Sequence, residues 1–156
     1  MKRVLSLALA LFATVAVFAA CNKDDKKEEV KEEWPKEFTG TVSVEFEGKT
    51  YSTDNKTISV EKGKEENTVT IIFNKIKFVP GMPMEVTVNV PGVKYEVQKN
   101  GTIKLSGDNI VPQRGKIPFN KFTVTDLKGV ITDKGMGLSL KFGPYPTSFS
   151  SGGVTL

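Results

Sequence analysis

The sequence holds no histidine, one cysteine and one tryptophan in 156 residues. Without imidazole there is no base for a Ser-His or Cys-His pair, and the nitrogen ligands of common zinc and copper sites are missing. A single cysteine, Cys21, excludes an intrachain disulfide. Arginine is almost as scarce: apart from Arg3 there is only Arg114, so nearly all positive charge is lysine. Lysine lacks the planar fork that reads phosphates or base edges bidentately, which argues against nucleic acid as a partner. No glycine-rich phosphate loop followed by a helix is present. Carboxylates and lysines are what remain for chemistry, and their placement is uninviting. Asp54-Asn55 and Asp108-Asn109 are of the type that closes turns with Asx side chains rather than ligating calcium. Glu45 and Glu47 lie two apart on the polar face of a strand, where solvent is the usual neighbour, not a glycosidic bond. The expectation is a chain with no catalytic residue, no metal and no cofactor, and not an enzyme.

What is present is organised by the first 33 residues. Lys2 and Arg3 precede an apolar run over residues 4–20, interrupted only by Ser6 and Thr14. That run is too short and too poorly flanked for a membrane span, and it reads as an export signal. A cut after Ala19 would leave Cys21 as a free thiol near a secreted terminus. Alternatively, the small residues Ala19 and Ala20 directly before Cys21 resemble the lipobox of bacterial lipoprotein signals, with Phe18 standing where an aliphatic residue is usual. The resemblance implies acylation of Cys21, a signal peptide over residues 1–20 and attachment to a membrane through the lipid. The processed chain would have 136 residues, enough for one domain. Loss of Lys2 and Arg3 takes the 22 basic residues to 20 against 18 acids, a net charge near +2 rather than +4.

Residues 22–37 carry five lysines and seven acids, with Val30 and Trp34 the only sizeable apolar groups. Such a composition cannot offset its own chain entropy, so residues 21–37 are expected to be a charged tether. Within it Lys23, Asp24 and Asp25 are similar to the acidic surface-export signal of Bacteroidota lipoproteins; the same charges would also serve a plain solvated spacer. The resemblance implies an outer-membrane lipoprotein exposed on the cell surface, and the spacer reading leaves it facing the periplasm. Trp34-Pro35 marks the approach to the folded domain, proline forcing extended backbone before it and tryptophan offering a ring to lay on that domain.

From Phe38 onward the hydrophobic period is two. Val42, Val44 and Phe46 alternate with polar residues up to Gly48, and Ile58 with Val60 repeats the pattern. Val69, Ile71 and Phe73 continue, after a shift near Asn74, into Ile76 and Phe78. Met84, Val86, Val88 and Val90 form one further strand, and Val93, Tyr95 and Val97 another. Asn100-Gly101 supplies left-handed backbone for a tight hairpin into Ile103 and Leu105. Residues 119–127, then Val130 and Ile131, and finally Leu138, Leu140 and Phe142 complete the series. The expected inward face is Val42, Val44, Phe46, Ile58, Val60, Val69, Ile71, Phe73, Val86, Val88, Val90, Tyr95, Val97, Ile103, Leu105, Phe122, Val124, Leu138, Leu140 and Phe142. About eight short strands with regular turns make residues 38–156 an all-β domain, a single antiparallel eight-stranded barrel or else a β-sandwich.

Two stretches place Lys-Phe at a strand end before a double-proline bend: Lys77-Phe78-Val79-Pro80-Gly81-Met82-Pro83 and Lys141-Phe142-Gly143-Pro144-Tyr145-Pro146. Residues 78–93, the opening Phe38-Thr39-Gly40-Thr41-Val42 and the late Leu138-Ser139-Leu140-Lys141-Phe142 resemble the calycin-like lipoprotein domains of Bacteroidota. The resemblance implies a lipocalin-like barrel and no particular activity. True lipocalins carry Gly-x-Trp at the first strand, whereas Gly40 is followed by Thr41-Val42, so their ligand chemistry does not transfer. Two functional classes follow: a binding module whose mouth takes a small apolar ligand, or a structural subunit docking to a larger cell-surface complex. Phe119, Phe122, Tyr145 and Phe149 are the aromatics that would favour the first. An apolar edge over residues 152–156 would favour the second, unless those residues form the closing strand. A barrel eight strands round is just wide enough for side chains to fill, and the five aromatics of the inward set lead to the expectation of a largely filled interior with a shallow pocket near one mouth.

Overall fold

The computed structural model describes residues 33–77 and 81–156. The proposed lipidation site Cys21, the charges Lys23, Asp24 and Asp25, and the Phe78 strand end lie outside the described residues. The fold lies within one compact unit, Trp34–Leu156.

Each stretch of alternating residues forms a strand because one face can be buried only against its neighbours. Strand β1 (Lys36–Phe46) turns through Glu47 and Gly48 into β2 (Lys49–Lys62). Both turn residues have positive φ, 52° and 77°, the type I′ geometry whose twist matches a two-residue hairpin. Then come β3 (Thr68–Ile76), β4 (Val86–Val97) and β5 (Ile103–Gly107). A small hairpin of β6 (Gln113–Arg114) and β7 (Ile117–Pro118) follows, with a 3-10 turn, Asn120–Phe122. Strands β8 (Val124–Ile131), β9 (Met136–Phe142) and β10 (Tyr145–Ser150) complete the set.

Neighbouring strands pair antiparallel in the order β3-β2-β1-β10-β9-β8-β5-β4, and β4 pairs back with β3. The result is a closed eight-stranded antiparallel barrel, consistent with a calycin-like fold, with the β6-β7 hairpin attached to β4 through Asn89 and Gln113. Closure leaves no continuous sheet edge, which is what separates this arrangement from a sandwich. The joint between β1 and β10 depends on Gly40: a Cβ there would lie inside the van der Waals shell of the Ser150 carbonyl oxygen.

The interior is filled. Phe73, Phe142 and Phe149 are fully enclosed among the buried valines, isoleucines and leucines, and Phe73 meets Phe142 edge-to-face with centroids 5.2 Å apart. Most of the expected inward face is buried, and the exceptions have local causes. Phe46 stands at a barrel rim, Tyr95 and Val97 at the opposite rim, and Phe122 belongs to the 3-10 turn and not to a strand. Ile76, Val93, Leu127, Ile131, Met136 and Phe149 complete the core, although the expected inward face did not include them.

Several corrections come from β-bulges. Residues 86–97 are one strand, not two: Pro91 and Gly92, the latter at φ 72°, stand opposite Thr70 alone, so the inward set continues from Val90 to Val93. A bulge is where a strand tolerates proline, since the extra residue leaves the hydrogen-bonding ladder. Asp126 at φ 53° does the same for β8, moving the inward parity from Val124 to Leu127. In the hairpin after β4 only Gly101 is left-handed, at φ 87°. Lys99 and Asn100 occupy the turn, and the Asn100 side chain accepts from the Thr102 amide at 3.0 Å. Met84 precedes β4 and is exposed. The strand that closes the barrel is Tyr145–Ser150, which carries Phe149 into the core. Residues 152–156 are neither a closing strand nor an edge: the chain reverses at Gly152 and Gly153, and Ser151 bridges Val154.

Candidate binding site at one mouth of the barrel

The two mouths differ. At the entry mouth Trp34 packs edge-to-face on Tyr95, with centroids 5.4 Å apart, and the Lys36 ammonium lies 5.5 Å from the indole ring. The Trp34 indole nitrogen is enclosed there with no hydrogen-bond partner. At the far mouth are the β1-β2 and β9-β10 hairpins, residues 81–85 before β4, and residues 108–123.

A cavity of about 450 Å³ opens at the far mouth, and its origin is a split in one seam. Strands β2 and β3 are paired from Lys62 opposite Val69 to Ile58 opposite Phe73. Beyond that point β3 bulges, with Asn74 and Lys75 set against Thr87 of β4 and Lys75 at φ 56°. The bulge carries β3 towards β4, and the first half of β2 is left paired to β1 only. Side chains span the gap where the ladder stops. The Asn74 amide donates to the Thr57 carbonyl at 3.1 Å and to Ser59 Oγ at 3.2 Å, and Lys56 Nζ donates to the Lys75 carbonyl at 2.7 Å.

A second bulge sets which side chains face the opening. Asp54 and Asn55, the latter at φ 58°, stand opposite Thr41, whose hydroxyl donates to Asp54 Oδ1 at 2.8 Å. The inward parity of β2 therefore runs Val60, Ile58, Lys56, then Thr53 and Tyr51. Thr53 and Tyr51 stand opposite the buried Val42 and Val44 of β1. Val42, Val44 and Ile76 give the cavity an apolar floor; Thr50, Tyr51, Ser52 and Thr53 give one wall; Lys56, Lys77 and Glu85 are its charged groups.

Lys56 is the unusual residue. It sits on the inward face opposite Gly40, and its side chain is only 15% exposed. An ammonium withdrawn from water needs partners, and Lys56 has the Lys75 carbonyl and an ion pair with the Glu85 carboxylate. The Glu85 side chain is 40% exposed. Its pKa is lowered from the ordinary value, first by the hydrogen bond from Lys56; desolvation opposes this, and the charges of Lys56, Lys77 and Lys75 add to the lowering.

The aromatics singled out in the sequence divide. Phe149 is core. Phe119, Phe122 and Tyr145 join Phe46 in a chain of ring contacts with centroids 5.7 to 6.1 Å apart, on the side of β1, β10 and the 3-10 turn. The cavity is lined from β1, β2, the end of β3 and Glu85, and none of these rings lines it. Asp54 accepts from Thr41, and Asp108 Oδ1 accepts from the Asp126 amide at 3.1 Å, so both carboxylates bind within the fold. Among the described residues no three His, Cys, Asp or Glu side chains converge. The cavity residues were not picked out in the sequence, although counting back two from Ile58 already places Lys56 on the inward face. Neither a family model, nor a curated protein, nor a solved structure matches this chain.

Proposed function

We propose that this protein is a lipid-anchored binding module of a bacterial outer membrane, acylated at Cys21 and displayed on the surface, whose calycin-like barrel holds a small ligand without acting on it chemically. The lipobox-like residues before Cys21 and the charges Lys23, Asp24 and Asp25 support the address. The observation that carries the binding reading is the cavity at the far mouth: an apolar floor and hydroxyl-bearing wall within the size range of small-molecule sites, in a barrel otherwise filled. A second reading, docking to a larger surface complex, is favoured by Met84 and Ile117, which are 57% and 65% exposed at the same mouth.

The address is tested by Cys21→Ser, which removes the sulfur that thioether acylation needs and should release the protein from the membrane fraction; unchanged membrane partition refutes it. Native mass spectrometry of that soluble variant, purified from its own cells, separates the two readings. A retained small molecule that is lost with Thr53→Trp supports the cavity. A co-purifying envelope protein in its place supports docking.

A further inference from the structure

We infer that the cavity takes an amphiphile with an anionic headgroup, and that Glu85 is a built-in place-holder which the headgroup displaces from Lys56. The inference rests on the binding reading and specifies its ligand. Charge is the first reason. Among the charged groups that line the cavity one carboxylate, Glu85, faces the two ammonium groups of Lys56 and Lys77, leaving one positive charge uncompensated. Such an excess beside an apolar floor repels a cationic headgroup and favours an anion.

Geometry is the second. Lys56 projects inward from β2 and is largely withdrawn from solvent, whereas its partner Glu85 reaches it from the segment before β4 and is the more exposed of the two. A lysine that served only to mend the split seam would need no more than the Lys75 carbonyl, as Asn74 needs no more than Thr57 and Ser59. The carboxylate on Lys56 can swing outward into water and regain its hydration, while Lys56, with little access to water, requires an anion in its place. A ligand carboxylate entering from the mouth satisfies that requirement, and its tail lies on Val42, Val44 and Ile76.

The test is calorimetric titration of the full chain bearing Cys21→Ser with decanoate, decanol, decyltrimethylammonium and acetate. Decanoate should bind one-to-one and at least tenfold more tightly than decanol or decyltrimethylammonium, and acetate, lacking a tail, should not bind measurably. Glu85→Gln should tighten decanoate about fivefold, the scale of one partly exposed ion pair, and leave decanol unchanged. Lys56→Met should erase the preference for decanoate; Lys77→Met, which removes a charge without touching the seam, should reduce it if the first variant fails to fold. Equal binding of decanoate and decanol, or no tightening with Glu85→Gln, overturns the headgroup assignment and leaves the cavity as a neutral site. Absence of binding by all four probes, or binding that survives Thr53→Trp, overturns the cavity reading and this inference with it.

Discussion

Phe142→Ala is the perturbation that most directly tests whether the barrel interior is a packed core that confines ligands to the mouth. Phe142 is fully buried on β9 and meets Phe73 of β3 edge-to-face across the barrel. Truncating an enclosed phenylalanine forfeits its transfer free energy and leaves a cavity the surrounding strands only partly close, together about 3–5 kcal/mol. The edge-to-face contact adds an interaction of about 0.5–1.5 kcal/mol, which a double-mutant cycle with Phe73→Leu isolates. Against the roughly 5–15 kcal/mol of a typical domain this is a large fraction, so urea unfolding should show a much lower midpoint at an unchanged slope. The void would be lined by aliphatic and aromatic side chains and should remain dry, so benzene at saturation should restore part of the lost stability. A loss below about 1.5 kcal/mol, or no effect of benzene, would mean that the interior at Phe142 is hydrated or loosely filled, and the argument for a site limited to the mouth would fail.

Gly40→Ala should cost more than about 2 kcal/mol, because the new methyl group meets the Ser150 carbonyl at the β1-β10 joint and the strands can yield only by opening the barrel. Gly81→Ala, where a Cβ meets nothing, serves as the control, and equal urea midpoints for the two would refute the closure argument. The Lys56-Glu85 pair should leave a signature in acid. The folded-state pKa of Glu85 is depressed, so the pair's contribution is fully present above the ordinary glutamate value of 4.5 and is lost as pH falls through the lower folded value. The difference in urea midpoint between the wild type and Glu85→Gln should therefore hold at neutral pH and shrink below 4.5; a difference constant down to pH 3 would show that the carboxylate charge is not what binds Lys56.

The all-β class and most of the core were legible in the sequence, because a strand buried on one face must alternate and the alternation is printed in the residues themselves. Val42 with Val44, Val69 through Phe73 and Leu138 through Phe142 are clear examples, and the shift expected near Asn74 is the bulge that opens the cavity. The same local rule failed where a bulge resets the parity. Pro91-Gly92 made one strand look like two, and Asp126 hid Leu127. It failed also for residues 49–55, which are polar on both faces because β3 leaves them uncovered.

Sequence by itself determined the strand-forming stretches, the left-handed turns at Gly48 and Gly101, and the scarcity of groups able to do chemistry, since each of these is a property of a residue and its near neighbours. Tertiary structure decided that the sheet closes on itself and that its interior is filled. It also decided that Lys56, Lys75 and Glu85, separated by up to 29 residues, meet at a split seam. The physical reason is that a ladder can be broken at one bulge and bridged by side chains only after the strands on both sides have been brought into register, and that register is fixed by the whole barrel.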